Sequence, residues 1–370
     1  MAAVQGGERH DHLTHLDTLA AEARPAGGGA EARARAYAEQ VLTKAGFTVS
    51  RASFTYSRFP GRFGTPIGGA LLGVAIIAAA TLGQSGAGGA ALVALFVGGL
   101  AVAGLAYTML GDGVLTLPIQ RATSENLIAT RGGAVPRVWL VAHLDSKSQP
   151  VPSLTRIAGV SLLLLSILLA LLASLLQLMA APHRTMWWGA LILAVVGAPP
   201  VIASVVGADS DGAVDNASGV AAVLAAATQV RPGTTFGVLL PSAEELGLAG
   251  ARAWARSMTG DAIPGVALNC DGVDDAGELT IMYAGERPTP LIDTLTRLAA
   301  RPPRVRRMPI GLLTDSVALA ERGWTAVTVS RGSVATLRRV HRPSDSLANL
   351  RGTGIEDVAT LLARAVEALA

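Results

Sequence analysis

The stretch Val138-Trp139-Leu140-Val141-Ala142-His143-Leu144-Asp145-Ser146 joins a run of five apolar residues to a group of polar side chains. Short apolar runs of this kind are typical of strands buried on both faces of a parallel sheet. Three further runs share the pattern, at residues 236–240, 266–269 and 326–329. We therefore predict buried parallel strands with polar side chains near their ends.

Helical patterns separate these runs. They cover residues 218–229, 248–257, 290–300 and 355–368. A further helix is predicted over residues 31–45, before Gly46, because glycine commonly stops a helix. Strands that alternate with helices indicate an α/β fold, here a doubly wound, mostly parallel sheet.

The chain is too hydrophobic for an ordinary soluble enzyme. Its 370 residues are 51% apolar and 15% charged, and its mean hydropathy is +0.45. Typical globular proteins are about 25% charged. Charged residues are absent from residues 63–111, 157–182 and 185–208. Because roughly 20 apolar residues in a helix cross the hydrocarbon core, we predict four membrane spans. They lie at residues 66–84, 87–110, 157–180 and 186–207.

The four spans form two hairpins, with tips at residues 83–86 and 181–184. Each hairpin returns the chain to the side it left, so all polar segments are expected on one face of the membrane. The predicted polar domain outside the hairpins is therefore discontinuous. It consists of residues 1–62, 112–156 and 208–370, and the hairpins occupy residues 66–110 and 157–207.

Charge in the short polar flanks predicts which face carries the polar segments. The N-terminal 45 residues contain no apolar signal region, so the first span is expected to act as the insertion signal. The hairpin tips together carry only Arg184, whereas the flanks are rich in Lys and Arg. The flanking residues are Arg51, Arg58, Arg62, Arg121, Arg131, Arg137, Lys147 and Arg156. This excess predicts a cytoplasmic catalytic side.

Five short segments each carry a residue that can bind a divalent cation. They are Ala142-His143-Leu144-Asp145-Ser146, Val214-Asp215-Asn216-Ala217-Ser218-Gly219, Glu244-Glu245, Asn269-Cys270-Asp271 and His341-Arg342-Pro343-Ser344-Asp345. Two histidines and several carboxylates, without a thiolate cluster, are the ligand set for one or two Zn²⁺ or similar ions in a hydrolytic site.

Three of these residues follow predicted strands, and sites in open α/β sheets lie where strands end. They are His143, Glu245 and Asp271. Singly, each is more commonly an ordinary turn residue, but three at equivalent positions indicate a site. Asp145 could orient His143 through its carboxylate, or it could cap the next segment.

The two remaining motifs also allow a structural alternative. Asp215 offers one oxygen to each of two cations, whereas its neighbours Asn216 or Ser218 could simply cap the next helix. The adjacent carboxylates of Glu244 and Glu245 repel each other, which is unfavourable unless they are solvated or bound to cations. One could bind an ion while the other takes a proton from water whose pKa the ion lowers. The alternative is an exposed acidic loop.

These motifs resemble, in order, those of metallopeptidase family 28, the co-catalytic di-zinc aminopeptidases. The similarity covers roughly residues 10–60 and 120–370 and implies an aminopeptidase-type fold with two zinc ions per chain. It implies that Asp215 bridges the ions. His143 and Asp271 complete one position, and Glu245 and His341 complete the other.

The same resemblance implies that Glu244 is the general base. The predicted catalytic residues are Glu244 and Asp145, the residue that could orient His143. The chain also departs from the family. The segment Thr314-Asp315-Ser316 is similar to its Ser-Asp-His segment but has Ser316 where histidine is common. Val340 stands where many members have a tyrosine that polarises the substrate carbonyl. The second hairpin replaces a short loop between two of the ligands.

The sequence thus predicts a multi-pass membrane aminopeptidase that acts on peptides, and its net charge of +3 indicates no nucleic-acid role. Its single cysteine, Cys270, excludes an intrachain disulfide framework. Two alternatives stay open. One is a catalytically silent receptor or scaffold on the same fold, and the other is a zinc-dependent glutaminyl cyclase.

Overall fold

The computed structural model describes residues 11–179, 183–258, 264–309 and 311–370. The chain divides into two compact units, each built from separated segments. The first unit contains Met1–Ser57, Pro118–Ser148 and Ala208–Ala370, and the second contains Arg58–Leu117 and Gln149–Gly207.

In the described part of the first unit, eight strands form one mixed, mostly parallel sheet. The strands are β1 Thr48–Ser57, β2 Arg121–Arg131, β3 Val138–Val141, β4 Phe236–Leu240, β5 Val266–Val273, β6 Glu278–Tyr283, β7 Arg304–Arg307 and β8 Thr325–Gly332. Their order across the sheet is β1-β2-β4-β3-β5-β8-β6-β7. The central strands β4, β3, β5 and β8 pair in parallel, whereas β1, β2 and β6 join through antiparallel pairings.

Helices connect and flank these strands. They are α1 Asp11–Leu19, α2 Gly29–Lys44, α3 Phe59–Gln84, α4 Gly88–Met109, α5 Gly113–Thr116, α6 Ser153–Met179, α7 Arg184–Ile202, α8 Gly219–Gln229, α9 Ala249–Ser257, α10 Thr289–Leu298, α11 Asp315–Ala320, α12 Val334–Arg339 and α13 Thr353–Leu369. A wide helical turn, Ala213–Ser218, leads into α8, and a short 3-10 turn spans Leu347–Asn349.

Both faces of the sheet are covered by apolar side chains. On β3, Val138 and Leu140 belong to one buried cluster, whereas Trp139 and Val141 belong to another, because successive side chains point to opposite faces of a strand. The first cluster includes the fully buried residues of α8, and the second includes Trp254 of α9. The sheet is therefore doubly wound.

The four apolar runs predicted as strands form the centre of the sheet. The run at 236–240 coincides with β4, and β8 extends the run at 326–329 by a few residues. The run at 266–269 continues to Val273, so Asp271 lies inside β5 and not after it. This prediction was wrong because the polar residues that continue the strand look like a turn.

The outer strands were not predicted. The missed strands are β1, β2, β6 and β7. They lie towards the edges of the sheet. On the two edge strands, β1 and β7, half or more of the side chains are exposed, so these strands carry no continuous apolar run. Arg304, Arg306 and Arg307 on β7 are exposed, a charge pattern that protects an edge strand from further pairing.

The second unit consists mainly of α3, α4, α6 and α7. Among the described residues, these four helices are long and apolar enough to cross a membrane. Their contacts depend on small residues: a Cβ on Gly83 would lie 2.0 Å from Trp187 Cε2. The Trp187 indole N–H donates to Gln177 Oε1 over 2.8 Å, so the buried polar atom is satisfied.

The helix boundaries differ from the predicted spans. Helix α3 begins at Phe59 and α6 at Ser153, several residues before the uncharged stretches, and α7 ends at Ile202 and not at 207. Charge-free windows locate only the apolar middle of a helix, and Arg62 and Arg156 lie within helical first turns. Residues 180–182 lie outside the described residues, and they include the first half of the predicted second tip.

Candidate metal centre

The carboxyl ends of three neighbouring parallel strands bring the predicted ligands to one edge of the sheet. His143 follows β3, Glu244 and Glu245 follow β4, and Asp271 lies near the end of β5. Because β4, β3 and β5 are adjacent, their ends converge. Asp215 comes from the wide turn before α8, so the strand ends and this turn share one site.

Asp215 lies between the two histidines. Its Oδ1 is 3.2 Å from His143 Nε2, and its Oδ2 is 2.9 Å from His341 Nε2. Each carboxylate oxygen thus faces a different imidazole. Around these pairs the side chains form two groups whose ligand atoms lie within 4.8 Å of one another. The groups are His143, Glu244 and Asp271, and Asp215, Glu245 and His341.

The donor atoms fit divalent cations. His143 Nε2 and Glu245 Oε1 are buried and have no hydrogen-bond partner within the protein. Buried polar atoms are normally satisfied, so atoms left free at a convergent site indicate a ligand. Imidazole nitrogens with carboxylate oxygens are the donor set that zinc accepts.

The carboxylate of Asp145 orders the loop that carries the two glutamates. It accepts hydrogen bonds from the backbone N–H groups of Glu244, at 3.1 Å, and Glu245, at 3.3 Å. The His143 ring contacts the backbone carbonyl of Asp145 instead, with Nδ1 at 3.0 Å, whereas the Asp145 carboxylate is 3.6 Å from Nδ1. A partner on Nδ1 fixes the orientation of the ring and leaves Nε2 for a metal.

Asp345 performs the corresponding task for the turn that holds Asp215. Its carboxylate accepts the backbone N–H groups of Val214, at 2.7 Å, and Asp215, at 3.2 Å. Burial raises the pKa of Asp345 to about 6, against the opposing effect of the Val214 hydrogen bond. The sequence alone did not indicate this role for Asp345. Its position four residues after His341 was the available signal.

Asn216 caps the helix that follows the turn. Its amide oxygen accepts the N–H of Gly219 over 3.1 Å, and its amide nitrogen donates to Cys270 O over 2.9 Å. This contact with the first residue of α8 agrees with the capping alternative for Asn216, whereas Ser218 makes no side-chain capping hydrogen bond. Capping does not compete with the neighbouring Asp215, because the two side chains have different partners.

Arg24 is a second residue that sequence analysis missed. It is fully buried and donates to Leu144 O over 3.0 Å, to Asp211 O over 2.7 Å and to Gly212 O over 3.1 Å. Burial lowers the pKa of Arg24 to about 10, so it stays charged. One guanidinium thereby joins the loops of His143 and Asp215.

Comparison with known proteins identifies the family. A profile described as Peptidase family M28 matches residues 126–366. The chain belongs to peptidase family M28. Membership of this family supports a hydrolase that acts on peptides. No curated protein sequence matches the chain.

Solved structures share the fold of this M28 chain at low sequence identity. An aminopeptidase from Aneurinibacillus sp. strain AM-1 is 16% identical, has a TM-score of 0.57, and the match covers 97% of this chain and 93% of that one. A zinc aminopeptidase from Bacillus subtilis is 15% identical with a TM-score of 0.56, and the match covers 98% of this chain and 95% of that one. A glutaminyl cyclase from Porphyromonas gingivalis is 13% identical with a TM-score of 0.57, and the match covers 97% of this chain and 98% of that one.

The pKa values of two acidic residues in the M28 site shift in opposite directions. Burial raises the pKa of Glu244 well above its usual range, and the nearby carboxylate of Glu245 adds to this effect against the opposing charge of His143. Burial alone would raise the pKa of Asp215, but its contacts with the two histidines hold it well below its usual range. Glu244 is thus suited to take up a proton, and Asp215 is suited to remain ionised.

The segment that departs from the family pattern forms a polar cluster. The hydroxyls of Thr314, Ser316 and Thr328 lie 2.7–2.9 Å from one another. Asp315 beside them is fully buried, and burial raises its pKa to about 8. At the other departure, Val340 is buried and offers no hydroxyl. The described residues therefore contain no tyrosine hydroxyl at that position.

Proposed function

We propose that this chain is a membrane-bound, zinc-dependent aminopeptidase. The main support is the pair of neighbouring ligand groups, with Asp215 between them, because its two oxygens face the two imidazoles. Membership of a peptidase family supports peptides as substrates, and the similar fold of the Bacillus subtilis zinc aminopeptidase supports zinc as the metal.

The proposed ligand assignment follows the same geometry. His143 and Asp271 would hold one Zn²⁺, Glu245 and His341 would hold the other, and Asp215 would bridge them. Zinc bound here would supply Lewis acidity, which polarises a carbonyl and makes water a better nucleophile at neutral pH. Asp145 keeps the glutamate loop and His143 in register for this task.

Glu244 is the proposed general base. Its Oε2 lies 3.9 Å from His143 Nε2, and its carboxylate belongs to the first ligand group. The same distance would also allow Glu244 to act as a ligand. A carboxylate at this position could accept a proton from the attacking water and pass it to the leaving amine.

Membrane insertion is proposed for the hairpins at residues 66–110 and 157–207. The support is the length and apolar character of α3, α4, α6 and α7. Single apolar residues on a surface are ordinary, but exposed ones recur along these helices, including Val93, Phe96 and Leu168. The excess of Lys and Arg in the flanks supports a cytoplasmic catalytic side.

A glutaminyl cyclase is the second candidate. Its support is the fold of the Porphyromonas gingivalis enzyme, which fits this chain as well as the aminopeptidases do. A panel of peptides separates the two functions, because cyclisation of an N-terminal glutamine releases ammonia and leaves the peptide bonds intact. A zinc-loaded wild-type chain that acts on no peptide would favour a silent scaffold.

The test of the proposal is Glu244→Gln. We expect this variant to keep its zinc and to lose at least about 10²-fold in kcat on aminoacyl substrates, because the proton acceptor is gone. Glu278→Gln on β6 is the matched control, since its carboxylate is exposed. Metal content and turnover are measured on the same samples. Retained turnover in Glu244→Gln would reject the assigned base.

A further inference from the structure

Lys147 brings a positive charge into the metal centre. It lies four residues after His143, its side chain is only 16% exposed, and its ammonium contacts Glu245 Oε2. A lysine that approaches a predicted metal ligand is unexpected, because a cation in the same place competes for the same carboxylate.

The two oxygens of Glu245 have different surroundings. Oε1 lies 3.6 Å from His341 Nε2, is buried and has no hydrogen-bond partner. Oε2 is occupied by the Lys147 ammonium. Glu245 is therefore left with one oxygen for the second ligand group. A metal ion bound there would share the negative charge of the carboxylate with the Lys147 ammonium.

The first ligand group has no such direct ion pair in the described part of the chain, although the Lys147 ammonium also interacts electrostatically with Glu244. In the described part of the chain, the ion pairs of Glu244 and Asp271 are with His143, and neither carboxylate pairs with a lysine or an arginine. Each group holds one imidazole and two carboxylates. They therefore differ in net charge mainly through Lys147.

We propose that Lys147 weakens cation binding at the Asp215–Glu245–His341 group, so that the two positions of this site fill in sequence and unequally. The inference rests on the proposed metal-binding function. The physical cause is twofold: the ammonium repels a second cation, and it withdraws charge from the carboxylate that would bind that cation.

A zinc titration of the metal-free, full-length chain in detergent tests this inference. For the wild type we expect one tight step and a second step at least about tenfold weaker. Lys147→Met keeps the length and apolar stem of the side chain but removes its charge, and we expect it to strengthen the second step at least about tenfold. Lys147→Arg keeps the charge and is the matched control.

Two further variants keep the test decisive. Lys147→Gln supplies a neutral polar side chain if the methionine variant fails to fold. His341→Ala removes a ligand of the second group only, and we expect it to abolish the weak step and to leave the tight step in place. The affinities are read from calorimetry or chelator competition, so the readout does not depend on enzyme activity.

The outcomes separate this inference from the proposed function. If the neutral variants leave the second step unchanged or weaken it, Lys147 only positions Glu245, and the inference is wrong while the metal site stands. Two equal steps in the wild type have the same consequence. If no variant, including the wild type, binds zinc, the proposed function and the inference both fail.

Discussion

Two buried aspartates hold the loops that carry the proposed ligands, and each does so in the same way. Asp145 accepts two consecutive backbone N–H groups from the Glu244 loop, and Asp345 accepts two from the turn of Asp215. A carboxylate with two acceptor oxygens suits a pair of adjacent donors. Ligand loops fixed in this way need little reorganisation when a cation binds.

Asp345→Asn tests this role. The substitution replaces one acceptor oxygen by an N–H₂ group, which faces a backbone donor, so the turn of Asp215 loses a hydrogen bond. We expect zinc affinity to fall about 10–100-fold. Asp357→Asn is the control, because Asp357 forms an exposed ion pair with Arg331. Equal affinities for the two variants in a chelator competition would contradict the role of Asp345.

Residue roles could be predicted only where local sequence carries them. His143 and Glu245 follow apolar runs, so their position near strand ends is visible in the sequence. The role of Asp345 depends on a contact with Val214, 131 residues away, and that of Arg24 on a contact with Leu144, 120 residues away. Such pairings are set by the tertiary fold and leave no periodic signal.

Among the elements, the central strands could be predicted and the outer strands could not. A strand buried on both faces must be apolar at every position, as β4 is, and this produces a recognisable run. Strand β1 pairs with β2 over ten residues but buries few side chains, so its composition resembles that of a loop. The backbone pairing that holds it is independent of side-chain type.

The start of α8 is the element-scale feature on which the site depends most. A Cβ on Gly219 would lie 2.0 Å from Asn216 Oδ1 and 2.6 Å from Cys270 O. Glycine is therefore required at position 219 because the Asp215 turn lies so close to β5. Its backbone angles are those of an ordinary helix, so they would allow any residue.

Gly219→Ala is accordingly expected to reduce stability by about 1–3 kcal/mol, since either Asn216 or β5 must move. We also expect weaker zinc binding, because Asp215 belongs to the displaced turn. Gly133→Ala is the matched control, since a Cβ there would meet nothing within 4 Å. Thermal unfolding with and without zinc provides the measurement. A melting temperature equal to that of the control would show that the turn tolerates the methyl group.

At the scale of the whole molecule, the chain alternates between segments of two units. The chain leaves the first unit after Ser57 and again after Ser148. It returns to that unit at Pro118 and at Ala208. Charge-free stretches made this alternation predictable. The boundaries were not predictable to the residue, because helices such as α3 and α6 begin within polar sequence.

Cysteine labelling tests the proposed membrane topology. The only native cysteine, Cys270, is fully buried and gives little background. Ser85, between α3 and α4, and Ser50, on β1, are both exposed in their own units. With a cytoplasmic catalytic side, an impermeant maleimide should label Ser85→Cys in intact cells and Ser50→Cys only after permeabilisation. The reverse pattern would invert the topology, and equal labelling would argue against membrane-spanning hairpins.

The zinc content of the purified chain and of Asp215→Asn is the most direct test of the central claim. If Asp215 joins two cation positions, the wild type should hold two zinc ions per chain at saturating metal. Asp215→Asn should lose most of both, because each position loses a charged ligand. A wild type without zinc, or an Asp215→Asn variant that keeps two ions, would contradict the account.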